Sequence, residues 1–521
     1  MVNQVVLDPS LDDAIRIHKL KRKIDSDSKD TTRLTQRSGG DKELANCLFK
    51  SFLEKTKQEK LKALELLTKE IELLTEDLTD IQNMSTAAPK NTQNISNNSN
   101  IEPQIYGAKG GEQFDRLQPH MLDLQESYFD WRLKSDLDQV QFANSLVRCT
   151  KFTQFRTLAT LHYGDNYFNF ASSIVSSIEF DKDDEYFATA GVTRKIKIYD
   201  YASVTDDYSD LITSNYIGNH SNSLDKQKNG VFKSATIPRF PIQEMDCQSK
   251  ISCLGWNLSS KATLVSSDYE GIVTLWDTSI GIAVVKLDEH EKRAWSVDFN
   301  EINTNMFASG GDDSKVKLWN INQKSSTGTI ETKANVCSVK FHPTNPNELA
   351  YGSADHHIHY HDLRNMSSPL MVFKGHQKAV SYVKFVNPKE FVTASTDCSL
   401  RLWSVDGPKM NSGETAQIGA QSIRKYTGHI NEKNFVGLSI NCTGEFICCG
   451  SETNQVVAYY SNLSQPVATH RFGNNIDAIS GIEVKEEDPA QFVSSVCWKR
   501  KSPNILVCAN SQGRVKVMEM I

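Results

Sequence analysis

Nowhere in the 521-residue chain do 18 consecutive apolar residues occur, which excludes a membrane-spanning helix. Cysteine is scarce too: there are eleven, an odd number, with none before Cys47 and no CxxC pair anywhere. That pattern argues against a disulfide framework and against paired-thiolate zinc sites. The first twenty residues carry Asp8, Asp12, Asp13, Arg16 and Lys19 and lack the apolar stretch of a secretory signal. A soluble intracellular protein with reduced thiols is therefore expected. No Gly-rich phosphate loop, nucleophile elbow or zinc-protease helix is present, so nothing resembles an enzyme active site. A formal charge of −6 and a pI near 6.1 exclude a globally basic nucleic-acid binder, and no basic stripe suggests direct nucleic-acid contact.

What is present divides the chain into two or three units. Residues 1–42 are polar, have no capacity for a core and are expected to be disordered. The basic run His18–Lys23 (HKLKRK) is a candidate nuclear import signal, set against the simpler reading of a solvated charge run. Residues 43–82 contain no Gly or Pro, and Leu64, Leu67, Ile71, Leu74, Leu78 and Ile81 step by 3, 4, 3, 4 and 3. That is an a/d seam, and the spacing predicts a coiled-coil helix of about three heptads. Lys57 and Lys60 break the register before Leu61. The alternative is a helix packed on its own globular domain, which the low-complexity sequence on either side disfavours. Residues 83–113, rich in Asn and Ser, read as a linker, and 114–144 as a helical connector whose regular helix starts near Pro119.

From residue 145 to 521 short β-runs recur. Seven similar strand endings appear at Lys195–Asp200 (KIKIYD), Ile272–Asp277 (IVTLWD), Lys315–Asn320 (KVKLWN), His357–Asp362 (HIHYHD), Ser399–Ser404 (SLRLWS), Gln455–Tyr460 (QVVAYY) and Arg514–Glu519 (RVKVME). Their last residues are 77, 43, 42, 42, 56 and 59 positions apart, a 42-residue period with three insertions, the largest at roughly 203–248. Asp313, Asp355 and Asp397 keep the same period, six residues before Trp319, His361 and Trp403, and Gly375-His376 and Gly428-His429 add a Gly-His pair. This is the signature of WD-repeat blades with four strands each. The fold class is an all-β seven-bladed WD-repeat β-propeller, preceded by a coiled-coil segment and disordered linkers. Residues 152–161 are expected to close the ring as the outer strand of the last blade. The His and Asp of the repeats resemble a catalytic pair but are read as a structural hydrogen-bond network. His357, His359 and His361 alternate to one face and form a weak metal candidate, but they occupy the strand that elsewhere reads as blade core. Cys448-Cys449 reads as core. No catalytic residue, metal site or cofactor is expected.

The repeats are more specific than a generic propeller. The strings Ile174–Asp181 (IVSSIEFD), Ser266–Asp277 (SSDYEGIVTLWD), Glu289–Phe299 (EHEKRAWSVDF) and Lys333–Phe341 (KANVCSVKF) stand in one order with Gly352–Asn365 (GSADHHIHYHDLRN), Phe373–Phe385 (FKGHQKAVSYVKF), Gly428–Leu438 (GHINEKNFVGL) and Ala509–Val517 (ANSQGRVKV). Together they resemble the constitutive photomorphogenesis family of ubiquitin ligases, in particular its animal form, over roughly residues 115–521. The resemblance implies a substrate receptor whose propeller binds acidic peptides carrying a Val-Pro pair, such as those of transcription factors or pseudokinase adaptors. Matched residue by residue, the binding positions fall on Lys250, Tyr269, Arg293, Trp295, His356, Lys378 and Phe435. Trp295 and Phe435 are expected to sandwich the Val-Pro pair, with Arg293, Lys250 and Lys378 as a positive patch for the acidic stretch. The resemblance also implies a coiled-coil homo- or heterodimer within a ubiquitin-ligase assembly, in the nucleus and cytoplasm. Family members carry a zinc-binding RING domain, and with no cysteine before Cys47 this chain is not expected to transfer ubiquitin by that route. A non-catalytic scaffold or competitor for the same peptides is the alternative.

Overall fold

The computed structural model describes residues 39–86, 115–134, 139–163, 173–205, 240–406, 417–418, 422–472, 474–476, 483–485 and 491–521. The basic run at 18–23, nearly all of the polar segment 1–42, most of the linker 83–113 and the middle of the insertion at 203–248 lie outside the described residues. The chain forms two units, residues 1–100 and 101–521.

In the first unit, helix α1 spans Gly39–Thr86, four residues beyond the expected 43–82 at each end. No proline falls between Pro9 and Pro89, so no ring breaks the helix on either side of the expected span. Its threonines are accommodated by bonding back one turn: Thr56 to the Phe52 carbonyl, Thr68 to Leu64 and Thr75 to Ile71. The seam residues Leu64, Leu67, Ile71, Leu74, Leu78 and Ile81 are all exposed, leaving an apolar stripe along the helix.

The second unit is a seven-bladed propeller. The seven strand endings read from the sequence are the third strands of seven four-stranded antiparallel sheets, here blades 1–7 in chain order. The inner strands are Val175–Phe180, Ile251–Trp256, Ala294–Phe299, Val336–Phe341, Val380–Asn387, Leu438–Ile440 and Val493–Trp498. They pack side by side around the axis, and the apolar core lies between adjacent blades, as where Leu275 and Leu287 of blade 2 meet Val297 and Phe307 of blade 3. The strand Phe155–His162 pairs antiparallel with Arg514–Met520 from Phe155↔Met520 to His162↔Arg514, so blade 7 is closed as expected. The insertion at 203–248 is not all loop: Gln243–Asp246 is the outer strand of blade 1. A further short strand, Gln417–Ile418, adds in parallel to the outer strand Met371–Lys374 of blade 4.

The connector is longer than 114–144. Helices α2 (Met121–Lys134) and α3 (Gln139–Lys151) precede a propeller whose first strand starts at Phe155 rather than near 145. The apolar Cys149 and Phe152 at the end of α3 are buried with Phe446 in the core of blades 6 and 7, which extends the helix to reach them. Asp123 of α2 accepts hydrogen bonds from the Ser464 backbone and hydroxyl at 2.7 and 2.6 Å, tying the connector to blade 6.

The repeat His and Asp residues are structural, with a revised membership. In blade 5, His376 Nδ1 meets Asp397 at 2.9 Å, its Nε2 meets Thr393 at 2.7 Å, and Trp403 donates to the same hydroxyl at 2.9 Å. Blade 3 repeats this with His290, Asp313, Ser309 and Trp319, using a Glu-His rather than a Gly-His pair. Burial opposes the Asp313 charge, yet its bond to His290 holds the carboxyl below its ordinary value. His429 bonds the Tyr459 hydroxyl instead of an aspartate, and Asp355 takes His359 of its own blade at 2.8 Å. Cys448 and Cys449 are both buried, in the cores on opposite faces of blade 6.

Candidate peptide-binding face

In an antiparallel four-stranded blade the chain reverses direction at each strand, so the loops entering the inner strands and the turns joining second to third strands share one face of the ring. Lys250, Arg293, Lys378 and Phe435 lie in entering loops. Trp295 is the second residue of an inner strand, and Tyr269 and His356 sit in second-to-third turns. All seven expected residues thus belong to one face, here called the top.

Four of them meet in one cluster. The Trp295 ring lies edge-on to Tyr269 and to Phe435, with centroids 5.5 and 5.0 Å apart. The Arg293 guanidinium lies 5.2 Å from the Tyr269 ring centre and 5.4 Å from that of Trp295. Lys250 joins through its carbonyl, which accepts the Tyr269 backbone N–H at 3.0 Å, while its side chain is exposed. His356 and Lys378 are exposed on blades 4 and 5; the first occupies the left-handed tip of its turn at φ 73° and the second is anchored through its carbonyl to the Ser395 hydroxyl. No contact among the described residues joins these two to the aromatic cluster.

A local irregularity aims Trp295. In six blades the register of the inner strand slips between its first and third residues, a β-bulge that turns the second residue toward the axis. The bulged residues are Ser176, Ser252, Trp295, Cys337, Ser381 and Ser494, and all six line an axial cavity of about 430 Å³. Trp295 is the single large ring among them. In blade 6 the inner strand is only Leu438–Ile440, and Gly437 just ahead of it packs so closely on blade 7 that a Cβ would come 2.4 Å from the Val496 nitrogen. The irregular Phe435–Gly437 segment ahead of it lets Phe435 line the same cavity.

Two polar residues of the site were not anticipated. Asp312 accepts the Trp295 indole N–H at 2.7 Å and the Asn335 amide at 2.9 Å, and stands 3.8 Å from Arg293. It fixes the indole and offsets part of the Arg293 charge. The doubled aspartate at 312–313 was the available signal: the repeat register uses Asp313 and leaves Asp312 on the loop tip. Burial raises the Tyr269 phenol above its ordinary value, so it remains a neutral hydroxyl. The His357–His359–His361 strand is held within blade 4: His359 bonds Asp355, and buried His361 lies 3.3 Å from the Tyr351 hydroxyl.

The comparisons with known proteins agree with this architecture. Residues 166–200, 281–320 and 367–404 match the WD domain, G-beta repeat family. Over 378 residues the chain is 46% identical to E3 ubiquitin-protein ligase COP1 of Arabidopsis thaliana, covering 72% of this chain and 49% of that protein. It is 32% identical over 365 residues to WD repeat-containing protein RUP2 of the same plant, covering 67% of this chain and 88% of RUP2. The chain belongs to the COP1/SPA family of WD-repeat propeller proteins. Within that family it is also 42% identical over 385 residues to Protein SUPPRESSOR OF PHYA-105 1 of Arabidopsis thaliana, covering 74% of this chain and 34% of that relative. The chain therefore spans about half the length of its COP1 relative and about a third of the other.

Proposed function

We propose that this chain is the substrate-recognition subunit of a ubiquitin-protein ligase assembly and binds acidic peptides with a Val-Pro pair on the top face of the propeller. The observation that carries the reading is the Tyr269–Trp295–Phe435 cluster at the mouth of the axial cavity, with Arg293 laid against it. A proline ring and a valine side chain suit an aromatic slot that is already assembled, because little ordering is required on binding. The acidic stretch of the peptide would run toward Lys250, Arg293, Lys378 and His356. Asp312 is occupied by the indole and an amide, so its charge opposes such a peptide less than its position suggests. This step requires no metal or cofactor. The apolar stripe of α1 is the proposed contact with a second coiled-coil chain that supplies or recruits the RING activity, in the nucleus and cytoplasm.

Without such a partner the same binding face would act as a scaffold or competitor, shielding peptides from ubiquitination. An autoubiquitination assay on the full chain, with and without a RING-containing family member, separates the two. Activity only in the mixed complex establishes a receptor subunit. Silence in both arms with peptide binding intact establishes the competitor, and failure to bind any acidic Val-Pro peptide overturns the reading.

A further inference from the structure

Six blades seat a buried ring beside their third strand. In blades 3 and 5 the rings are His290 and His376, and in blade 6 His429, 2.9 Å from the Tyr459 hydroxyl. Blade 1 uses Tyr163 beneath the Lys197 ammonium, blade 4 uses Tyr351 stacked on His359 at 5.0 Å, and blade 7 uses Phe472 beneath Lys516. Blade 2 has no such ring. The loop entering it offers Cys247 and an exposed Gln248, and its third strand carries Thr274 where blade 3 has Lys317 and blade 5 has Arg401. A cavity of about 370 Å³ opens there, between the outer strands of blades 1 and 2.

The polar groups that hold an imidazole in blade 3 are nonetheless present in blade 2. Trp276 donates to Ser266 Oγ at 2.9 Å, as Trp319 does to Ser309 at 2.8 Å. Asp268 occupies the position of Gly311, where a Cβ would lie 3.0 Å from Asp313 Oδ1 and 3.2 Å from His290 Nδ1. Its carboxylate is therefore delivered to the place that Asp313 fills in blade 3. Oδ1 accepts the Glu270 and Ile272 backbone N–H groups at 3.0 and 2.8 Å, as Asp313 Oδ1 accepts that of Lys315 in blade 3, and Asp268 is only 6% exposed. Burial raises the Asp268 carboxyl above its ordinary value despite the backbone N–H groups that favour its charge. The Cys247 thiol is pushed up to about 12, first by burial and then by Asp268 and Asp246, so it remains protonated and does not compete for the carboxylate as an anion.

We propose that this cavity is a binding site for an imidazole ring supplied from outside the chain, donating its N–H to Asp268 and accepting the Ser266 hydroxyl proton on its other nitrogen. The ring comes either as a free small heterocycle or as a histidine side chain of a bound protein. The site shares no residue with the aromatic cluster on the axis, so it stands independently of the proposed function.

Saturation-transfer NMR on the full chain tests it with three probes: imidazole, N-methylimidazole and the blocked tripeptide Gly-His-Gly beside Gly-Ala-Gly. Imidazole is expected to bind saturably, and N-methylimidazole at least about tenfold more weakly, because it lacks the N–H. Cys247→His and Thr274→Lys each place a side chain of a neighbouring blade into the cavity and should abolish binding. The second variant keeps the test decisive if the first does not fold. Tighter binding of Gly-His-Gly than of imidazole identifies a protein histidine as the source, and the reverse order a free heterocycle. Absence of saturable imidazole binding, or equal binding by a folded Thr274→Lys variant, overturns the assignment.

Discussion

Truncating Trp295 to alanine should remove most of the peptide affinity without unfolding the propeller. The indole touches Tyr269 and Phe435 at 5.5 and 5.0 Å and donates to Asp312 at 2.7 Å. Its loss removes one wall of the slot and leaves Tyr269 and Phe435 without the ring that separates them. Loss of a central aromatic anchor typically costs about 2–4 kcal/mol of binding free energy. That corresponds to roughly a 30- to 1,000-fold rise in Kd. The freed Asp312 carboxylate would then oppose an acidic peptide and push the effect toward the upper end. Trp295→Phe separates the contributions, because it keeps a ring but drops the N–H, and should fall between wild type and alanine. Isothermal calorimetry with an acidic Val-Pro peptide provides the affinity, and circular dichroism verifies the fold. Wild-type affinity in a folded Trp295→Ala variant would refute the aromatic-slot reasoning.

Lys378→Glu should mainly slow association and flatten its salt dependence in stopped-flow measurements, since Lys378 is exposed and away from the ring cluster; an effect confined to dissociation would contradict steering. His290→Ala leaves Asp313 and Ser309 buried without their partner and should destabilise the propeller by about 2–4 kcal/mol in urea unfolding, with no shift counting against the network. Burial holds His361 and His429 neutral to about 4, against an ordinary value of 6.5, so unfolding takes up protons between these limits. Stability should therefore fall as pH drops from 6.5 toward 4, and a His429→Gln variant should show a shallower fall in a pH series of melting temperatures. Ile71→Glu with Leu74→Glu should convert a self-associated chain to monomer in analytical ultracentrifugation while peptide binding persists; unchanged association would remove the α1 stripe from the contact.

The blades were readable because a 42-residue period survives even where its signature residues change, as at His357–Asp362, which has no tryptophan. Closure by the strand at Phe155 followed from the rule that a ring leaves no free edge. Where tertiary packing overrode local pattern, the sequence was a poorer guide. The strand Gln243–Asp246 hides in a polar insertion, because an outer strand is solvated on one side and needs few apolar residues. The extent of α3 depends on Cys149 and Phe152 reaching a core built from residues three hundred positions away. The positions of the site residues came from resemblance rather than chemistry, since an exposed Lys378 or Lys250 looks like any surface lysine. Trp295 alone could equally have been blade packing, and its place as the one ring among the serines and cysteine at the bulged positions emerges only from the strand register. Asp312 and the empty ring seat of blade 2 become apparent only when blades are superposed position by position.

Blade 7 also sets a schedule for biosynthesis. Its outer strand contains Arg156, whose partner in the finished sheet is Glu519, 363 residues later. At translation rates of about 5–20 residues per second, that strand waits roughly 20–70 s for the strand it will pair with. Throughout that interval the nascent chain presents an unpaired strand at one end and a growing stack of blades at the other, each new blade offering an open side. The ring therefore closes late, once Arg514–Met520 has left the ribosome, and a chain cut short before Arg514 leaves the strand at Phe155–His162 without its partner.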